Sequence, residues 1–408
     1  MRKLLLLGAA VVSCILSEAQ DDNKLVIGKI DSISSTYLQE QRKVWVYLPN
    51  GFNDKSTQRY PVVYLMDGTA HFYSVVGMIQ QFSQVNGNTI CPEMIVVGID
   101  NTDRTRDLTP THIKEDILYL DSSLAKTSGG GEKFISYLRK ELIPYIDSHY
   151  PTQPFRMVIG HSFGGLMAMH MLIHHTDLFN VYVSIDPSMW WDNMKYLKQS
   201  EQLLQGKKFT NKTLFLGYAN TMDEGMDTAR VQKDISPMSR HIRSIISVDH
   251  LLKSKKNNGL QYASKFYKDD SHTTVPLIST YDALRFVFRN YQFKLLTQDY
   301  IDSLVDLPGK FEQHYKEASR FFGYPVLPAE KLIQGWGNEF LQVRQYKKAV
   351  GFFELNTRYY PRSASAHATL ADYYVQRGEK QKAIQSFQQA LQINEDAVTR
   401  KKLEDLMR

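Results

Sequence analysis

The chain has 408 residues, 43% of them hydrophobic and 23% charged, which suits a globular protein with a sizeable core and exceeds one typical domain. Formal net charge is +6, but the basic residues are scattered, with only short clusters such as Lys253-Ser254-Lys255-Lys256. They do not alternate with aromatics, so composition argues against a nucleic-acid surface.

The first residues carry a secretory pattern. Arg2-Lys3 form a positive n-region, Leu4 to Leu16 an apolar h-region, and Ser17-Glu18-Ala19 an A-x-A-like cleavage site before Gln20. This predicts a signal peptide over residues 1–19 and export to the periplasm or the medium. Val11-Val12-Ser13-Cys14 also resembles a lipoprotein box, although Ile15-Leu16 continue the apolar run past Cys14. The h-region is too short to span a membrane, and no other stretch is long enough. If Cys14 leaves with the signal, Cys91 stands alone and no intrachain disulfide is available.

From about residue 25 to 290, strand and helix signals alternate. Leu25 to Ser35 and Lys43 to Leu48 predict an opening antiparallel pair. Pro61 to Met66 and Met94 to Ile99 are continuous apolar runs, as in strands covered on both faces of a parallel sheet. An amphipathic helix is expected over Phe134 to Tyr150, and Phe155 to Ile159 reads as a buried strand.

Directly after that strand comes Gly160-His161-Ser162-Phe163-Gly164-Gly165, followed by a helical run from Leu166 to His174. A G-x-S-x-G turn between strand and helix is a nucleophile elbow, with Ser162 as the nucleophile. The glycines make room where a side chain would collide with neighbouring backbone. The helix N-terminus offers free N–H groups to an oxyanion. Further strands are expected over Asn180 to Ile185, Thr213 to Tyr218 and Leu260 to Tyr267. The alternation predicts an α/β fold with crossover helices.

A serine needs a base, and the base needs an acid to orient it. In α/β hydrolases the chain order is serine, acid, histidine. His170 lies eight residues beyond Ser162, roughly 12 Å along the helix, and points away. His241 and His250 fall in a predicted helix, and His314 and His367 lie in the C-terminal part. His272 remains, in a polar loop after the last strand. The acid is expected in the loop after Tyr218, which holds Asp223, Glu224 and Asp227; Glu224 is the first choice. The oxyanion donors are expected to be the backbone N–H groups of Phe163 and of Thr69 in Asp67-Gly68-Thr69-Ala70.

From about Leu327 the pattern becomes helical. A repeat recurs at a spacing of 34: Asn338 matches Asp372, Phe340 matches Tyr374, Ala349-Val350 matches Ala383-Ile384, and Phe353 matches Phe387. That spacing is that of tetratricopeptide helix hairpins. Two repeats are fewer than a free solenoid needs, so the pair is expected to dock on the catalytic domain or on a protein partner. The expected organisation is a signal at 1–19, an α/β-hydrolase domain at 25–290, a connecting segment at 291–326 and helical repeats at 327–408.

These residues resemble the esterase branch of the α/β hydrolases that includes esterase D, the ferric-siderophore trilactone esterases and bacterial feruloyl esterases. The resemblance is carried by Val63-Tyr64-Leu65-Met66-Asp67-Gly68, by Val97-Gly98-Ile99-Asp100-Asn101 with Arg104 and Asp107-Leu108-Thr109-Pro110, by Gly130-Gly131 through Ile146, and by the elbow. Asp186-Pro187-Ser188-Met189-Trp190-Trp191 resembles the family's Ser-Pro-Ser-x-Trp-Trp segment, with Asp186 in place of the first serine. The resemblance implies Ser162 as nucleophile, His272 as base and small carboxylic esters as substrates, siderophore- or carbohydrate-linked among them. One departure matters: the family's usual acid position falls on Met222, so the acid has shifted or the site is a Ser-His dyad. Trp190 and Trp191, with Phe72 and Tyr73, are placed either at the site mouth or in the core. No cofactor or metal is implied, and no Cys/His cluster has metal-ligand spacing. The rival readings are an acyltransferase with the same site and a binding protein on a degenerate hydrolase fold.

Overall fold

A computed structural model describes residues 24–50, 58–113, 122–204, 206–254 and 258–408. The signal segment and Cys14 lie outside the described residues. Eight strands form one sheet: β1 (Lys29–Ser35), β2 (Glu40–Tyr47), β3 (Tyr60–Leu65), β4 (Ile95–Ile99), β5 (Thr152–His161), β6 (Val181–Ile185), β7 (Lys212–Ala219) and β8 (Leu260–Tyr267). Their spatial order is β1-β2-β4-β3-β5-β6-β7-β8. β1, β2 and β4 pair antiparallel, and every pairing from β4 to β8 is parallel.

The apolar runs explain the placement. β3, β4 and β6 are buried at every residue, as central parallel strands with both faces covered must be. Period-2 alternation splits each strand between two cores. Val62 and Tyr64 of β3 join one cluster with Val158 and Leu216, whereas Val63 and Leu65 join the other with Met157 and Phe215. Cys91 is buried in the second cluster, where burial pushes its thiol up to about 12. Its thiolate is therefore scarce at neutral pH.

The amphipathic helix before β5 runs as Gly131–Tyr137, a π turn at Leu138–Leu142, and Ile143–His149. Pro144 has no N–H to give to the preceding turn, and the widened π turn absorbs that missing bond.

The C-terminal helices form an all-helical module. Helices Glu330–Gln342 and Tyr346–Tyr359 make one hairpin, and Ala364–Gln376 and Lys380–Ile393 the next, so each boundary recurs 34 residues later. Ala349, Ala383, Phe353 and Phe387 are all buried, as close helix packing requires. Helix Ala397–Met407 follows and covers Phe387 with Leu403.

The segment 291–326, expected to be a connector, contains the long helix Leu307–Phe322. Its first turns place Leu307 and Phe311 in the core of the helical module beside Phe340 and Phe352. Its last residue buries Phe322 in the sheet domain, with ring centroids 4.7 Å from Phe155 and 6.0 Å from Phe288. One helix thus has an end in each core, and the module docks on the sheet domain. The buried Lys348 adds a clamp: its ammonium donates to the carbonyls of Asp299, Tyr300 and Asp302.

Candidate active site

The turn after β5 is built as the glycine pattern predicts. Ser162 has φ 58° and ψ −114° and caps the helix Phe163–His174. That is a strained backbone for a serine, and strain of this kind clusters at functional sites. Gly160 lies so near the Gly164 carbonyl that a Cβ would be driven into it, and a Cβ at Gly165 would stand 2.9 Å from the Ile185 carbonyl oxygen. The elbow is pinned to the next strand, because the Ser162 N–H donates to the Ile185 carbonyl at 3.0 Å.

Ser162, Phe163, Ser188, Trp190, His241 and His272 line one cavity of about 460 Å³, with Thr221 and Met238 completing its wall. The Ser162 Oγ lies 3.3 Å from the Ser188 Oγ. Phe163 is the first residue of the elbow helix, so its N–H lies outside the helical ladder. Thr69 is exposed in the first turn of helix Gly68–Ser83, after the left-handed Asp67, and is not among the cavity-lining residues.

The structure does not bring the expected acid, Glu224, to His272. Glu224 is exposed, and so are Asp223 and Asp227; Asp227 caps the short helix Thr228–Val231 through the amides of Ala229 and Arg230. The carboxylate on His272 belongs to Asp186, whose Oδ2 lies 2.6 Å from His272 Nδ1. Asp186 follows β6 directly, at φ 42° and with no exposed surface. Its Oδ1 accepts the Ala219 N–H at 3.0 Å, and its Oδ2 also meets His241 Nε2 at 3.0 Å. Burial alone would raise this carboxyl, but hydrogen bonds from His241 and His272 outweigh it and hold the group well below the usual carboxylate range. Asp186 is thus ionised at neutral pH, between two imidazoles.

Strand order carries β6 and β7 side by side, so a carboxylate at the end of either can reach the histidine loop after β8. Aspartate at 186, in place of the serine of the resembled family, together with Met222 at that family's usual acid position, is the sequence signal that could have pointed to Asp186. His241 was set aside as a helix residue; it stands in the first turn of helix Arg240–Ser254, where it reaches the cavity from the side.

The tryptophans part company. Trp190 lines the cavity, whereas Trp191 is fully buried and donates its indole N–H to the Thr111 carbonyl at 3.1 Å. Phe72 is likewise core, and Tyr73 is exposed beside Trp45. Of the four aromatics considered for the mouth, Trp190 alone lines the cavity.

Charged side chains outside the cavity fix the elbow. Arg104 grips Asp67 through two bonds, at 2.7 and 3.0 Å, and donates to the His161 carbonyl at 3.2 Å. Asn101 donates to the same Asp67 carboxylate. This ties the loop after β3 to the residue before the serine. His161 is held neutral by burial, with its pKa lowered to about 4. Sequence spacing carries no metal signal, yet the fold brings together two groups whose ligand atoms could share one ion: Asp186, His241 and His272, and separately Glu132, His170 and His175.

An eight-stranded, mostly parallel sheet in this order, with an elbow serine after β5 and a histidine after β8, defines an α/β hydrolase. Residues 35–226 match the family model described as Putative esterase. The siderophore enterobactin esterase of Emericella nidulans is 27% identical over 164 residues, covering 38% of this chain and 54% of the relative. The ferri-bacillibactin esterase BesA of Bacillus subtilis is 27% identical over 188 residues, covering 43% of this chain and 64% of the relative. The chain therefore spans less than two thirds of these relatives' own lengths. The structure of an IroE-like serine hydrolase from Shewanella oneidensis aligns with a TM-score of 0.68 at 28% identity, over 81% of this chain and 99% of that one. A protein from Capnocytophaga ochracea shares the fold over 93% of this chain and 99% of its own, with a TM-score of 0.63 at 18% identity.

Proposed function

We propose that the protein is an exported serine esterase that hydrolyses carboxylic esters through Ser162, His272 and Asp186. The observation that carries this reading is the buried, ionised Asp186 seated on Nδ1 of His272, which lines the same cavity as the strained Ser162. With Nδ1–H held by the carboxylate, Nε2 is the basic nitrogen that faces the cavity. It takes the Ser162 proton as Oγ attacks the ester carbonyl. The oxyanion accepts a hydrogen bond from the Phe163 N–H. His272 then returns the proton to the leaving alcohol. Water, deprotonated by the same nitrogen, resolves the acyl-enzyme. His241 acts as a positioning residue, meeting the same Asp186 Oδ2 that His272 meets.

The substrate class we propose is an ester of the siderophore type. Two relatives are named as a siderophore enterobactin esterase and a ferri-bacillibactin esterase, and the cavity offers Trp190, Phe163 and Met238 as apolar surface for an aromatic acyl or alcohol part. Export rests on the signal pattern at 1–19, and the 34-residue hairpins are assigned as tetratricopeptide-like repeats.

The test is covalent. A fluorophosphonate probe should add once to the full chain, at Ser162 by peptide mapping, and Ser162→Ala should abolish both labelling and p-nitrophenyl ester turnover. Labelling elsewhere, or a Ser162→Ala variant that keeps more than a few per cent of activity, would overturn the assignment. Faster turnover of a catecholate trilactone than of p-nitrophenyl acetate would support the substrate class.

A further inference from the structure

The nucleophile helix ends in a second cluster of ligating side chains, away from the ester site. His170 Nε2 lies 2.7 Å from Glu132 Oε1, and His175 Nε2 lies 3.1 Å from Glu132 Oε2. The three ligand atoms all fall within 4.8 Å of one another. Ser162 begins this helix and His170 and His175 stand at its far end, eight or more residues along. The cluster takes no part in the ester chemistry proposed above.

We propose that Glu132, His170 and His175 form a binding site for a divalent first-row transition ion, with Zn²⁺ the best fit. Two imidazoles and one carboxylate suit borderline-soft ions, whereas Ca²⁺ and Mg²⁺ prefer all-oxygen sets. Three protein ligands leave a fourth tetrahedral position for water, or for His174, whose ring centroid lies 4.5 Å from that of His170.

Several features organise the cluster as a site and not as a loose surface group. His170 is buried, so its ring is held by its surroundings. Its other nitrogen, Nδ1, is held at 2.9 Å by the hydroxyl of the buried Tyr196, which fixes the ring and aims Nε2 outward. Such outer partners accompany metal-bound histidines. A hydroxyl can accept from Nδ1–H as readily as donate to Nδ1, so it serves the metal-bound tautomer as well. The helix C-terminus directs partial negative charge toward the same place. Lys207 opposes this, since its ammonium sits on the Ile173 carbonyl. Glu132 is largely exposed, so an ion can enter from solvent. The ion would join helix Gly131–Tyr137 to the end of the nucleophile helix, and its role is to brace the scaffold.

The full chain, without a polyhistidine tag and stripped with EDTA, is titrated with ZnCl₂ by calorimetry and with CoCl₂ by visible absorption. One ion per chain and a rise in Tm are expected. Glu132→Gln and His175→Asn, both at accessible positions, should lose the Tm rise and weaken binding by more than about tenfold, and Tyr196→Phe by about 10–100-fold. Their Tm values in EDTA, compared with wild type, exclude a folding defect. Asp186→Asn should bind as wild type does, which separates this cluster from the one at the ester site. Absence of saturable binding, binding indifferent to Glu132→Gln and His175→Asn, or binding abolished by Asp186→Asn would each overturn the proposal.

Discussion

Ser162 and Asp186 both sit at positive φ, at 58° and 42°, a region that costs a non-glycine residue about 1–3 kcal/mol. Two such residues at the ends of adjacent strands mark where the fold accepts strain to aim side chains at a common point. If Asp186 orients His272, Asp186→Asn should lower kcat by about three to four powers of ten with little change in KM, because the amide supports the wrong imidazole tautomer. Glu224→Gln should remain near wild type, as the exposed carboxylate stands apart from His272. Steady-state kinetics on a p-nitrophenyl ester separates the two. A reversed ranking would return the acid to the loop after β7, and near-normal turnover in both variants would favour a dyad.

At the scale of elements, the elbow and its supports make the sharpest cases. Gly160 is needed for space: Gly160→Ala should unseat the turn and remove turnover, with loss of the cooperative thermal transition as the measurable sign. Beside the elbow, Glu40, Arg42, Arg106 and Asp107 form a network that holds the segment bearing Arg104. Burial raises the Glu40 carboxyl, but hydrogen bonds from Arg106, Thr102 and Arg42 outweigh it and hold its pKa down to about 2, from an ordinary 4.5. A depressed carboxyl pKa contributes stability that is fully present above 4.5 and is lost as pH falls toward 2. Glu40→Gln should therefore flatten the fall of the urea midpoint over that window. In the helical module, Arg344 and Gly378 occupy equivalent turns 34 residues apart, at φ 59° and 72°. The left-handed conformation costs an L-residue roughly 1–2 kcal/mol, partly offset by the greater unfolded-state freedom of glycine. Arg344→Gly should stabilise the chain slightly, and Gly378→Ala should destabilise it by about 1 kcal/mol; denaturant titration reads both.

For the whole molecule, the helix Leu307–Phe322 decides how the parts hold together. Removing everything after about Asn290 would strip Phe322 from Phe155 and Phe288 and expose a face of the sheet domain. The proposed ester site, Ser162, Asp186 and His272, lies entirely before that point, so a truncated domain that stays soluble should keep turnover within an order of magnitude while losing thermal stability. Phe322→Ala tests the same contact inside the full chain. Emptying a fully packed phenylalanine site typically costs about 3–5 kcal/mol, so a marked fall in Tm with unchanged kcat is expected. A large loss of kcat in a folded variant would mean that the helices help shape the active site.

The sequence by itself determined what is local or periodic. Continuous apolar runs identified β3 and β4, because a strand covered on both faces has no polar side. Glycine spacing identified the elbow, because the turn has no room for a Cβ at Gly160. The 34-residue recurrence identified the hairpins, because equivalent helices need the same small and aromatic residues at their contacts. What only the tertiary structure decided is where side chains from distant segments meet. Asp186 and His272 are 86 residues apart, and His241 comes from a third segment; nothing in local spacing pairs them. Glu132 and His170 are brought together in the same way, across 38 residues. Trp190 and Trp191, adjacent in the chain, separate into a cavity wall and the core. The connector became a shared helix because both neighbouring cores had apolar surface to cover. Each of these outcomes depends on long-range packing, in which the order of strands in the sheet, and not the order of residues in the chain, sets the neighbours.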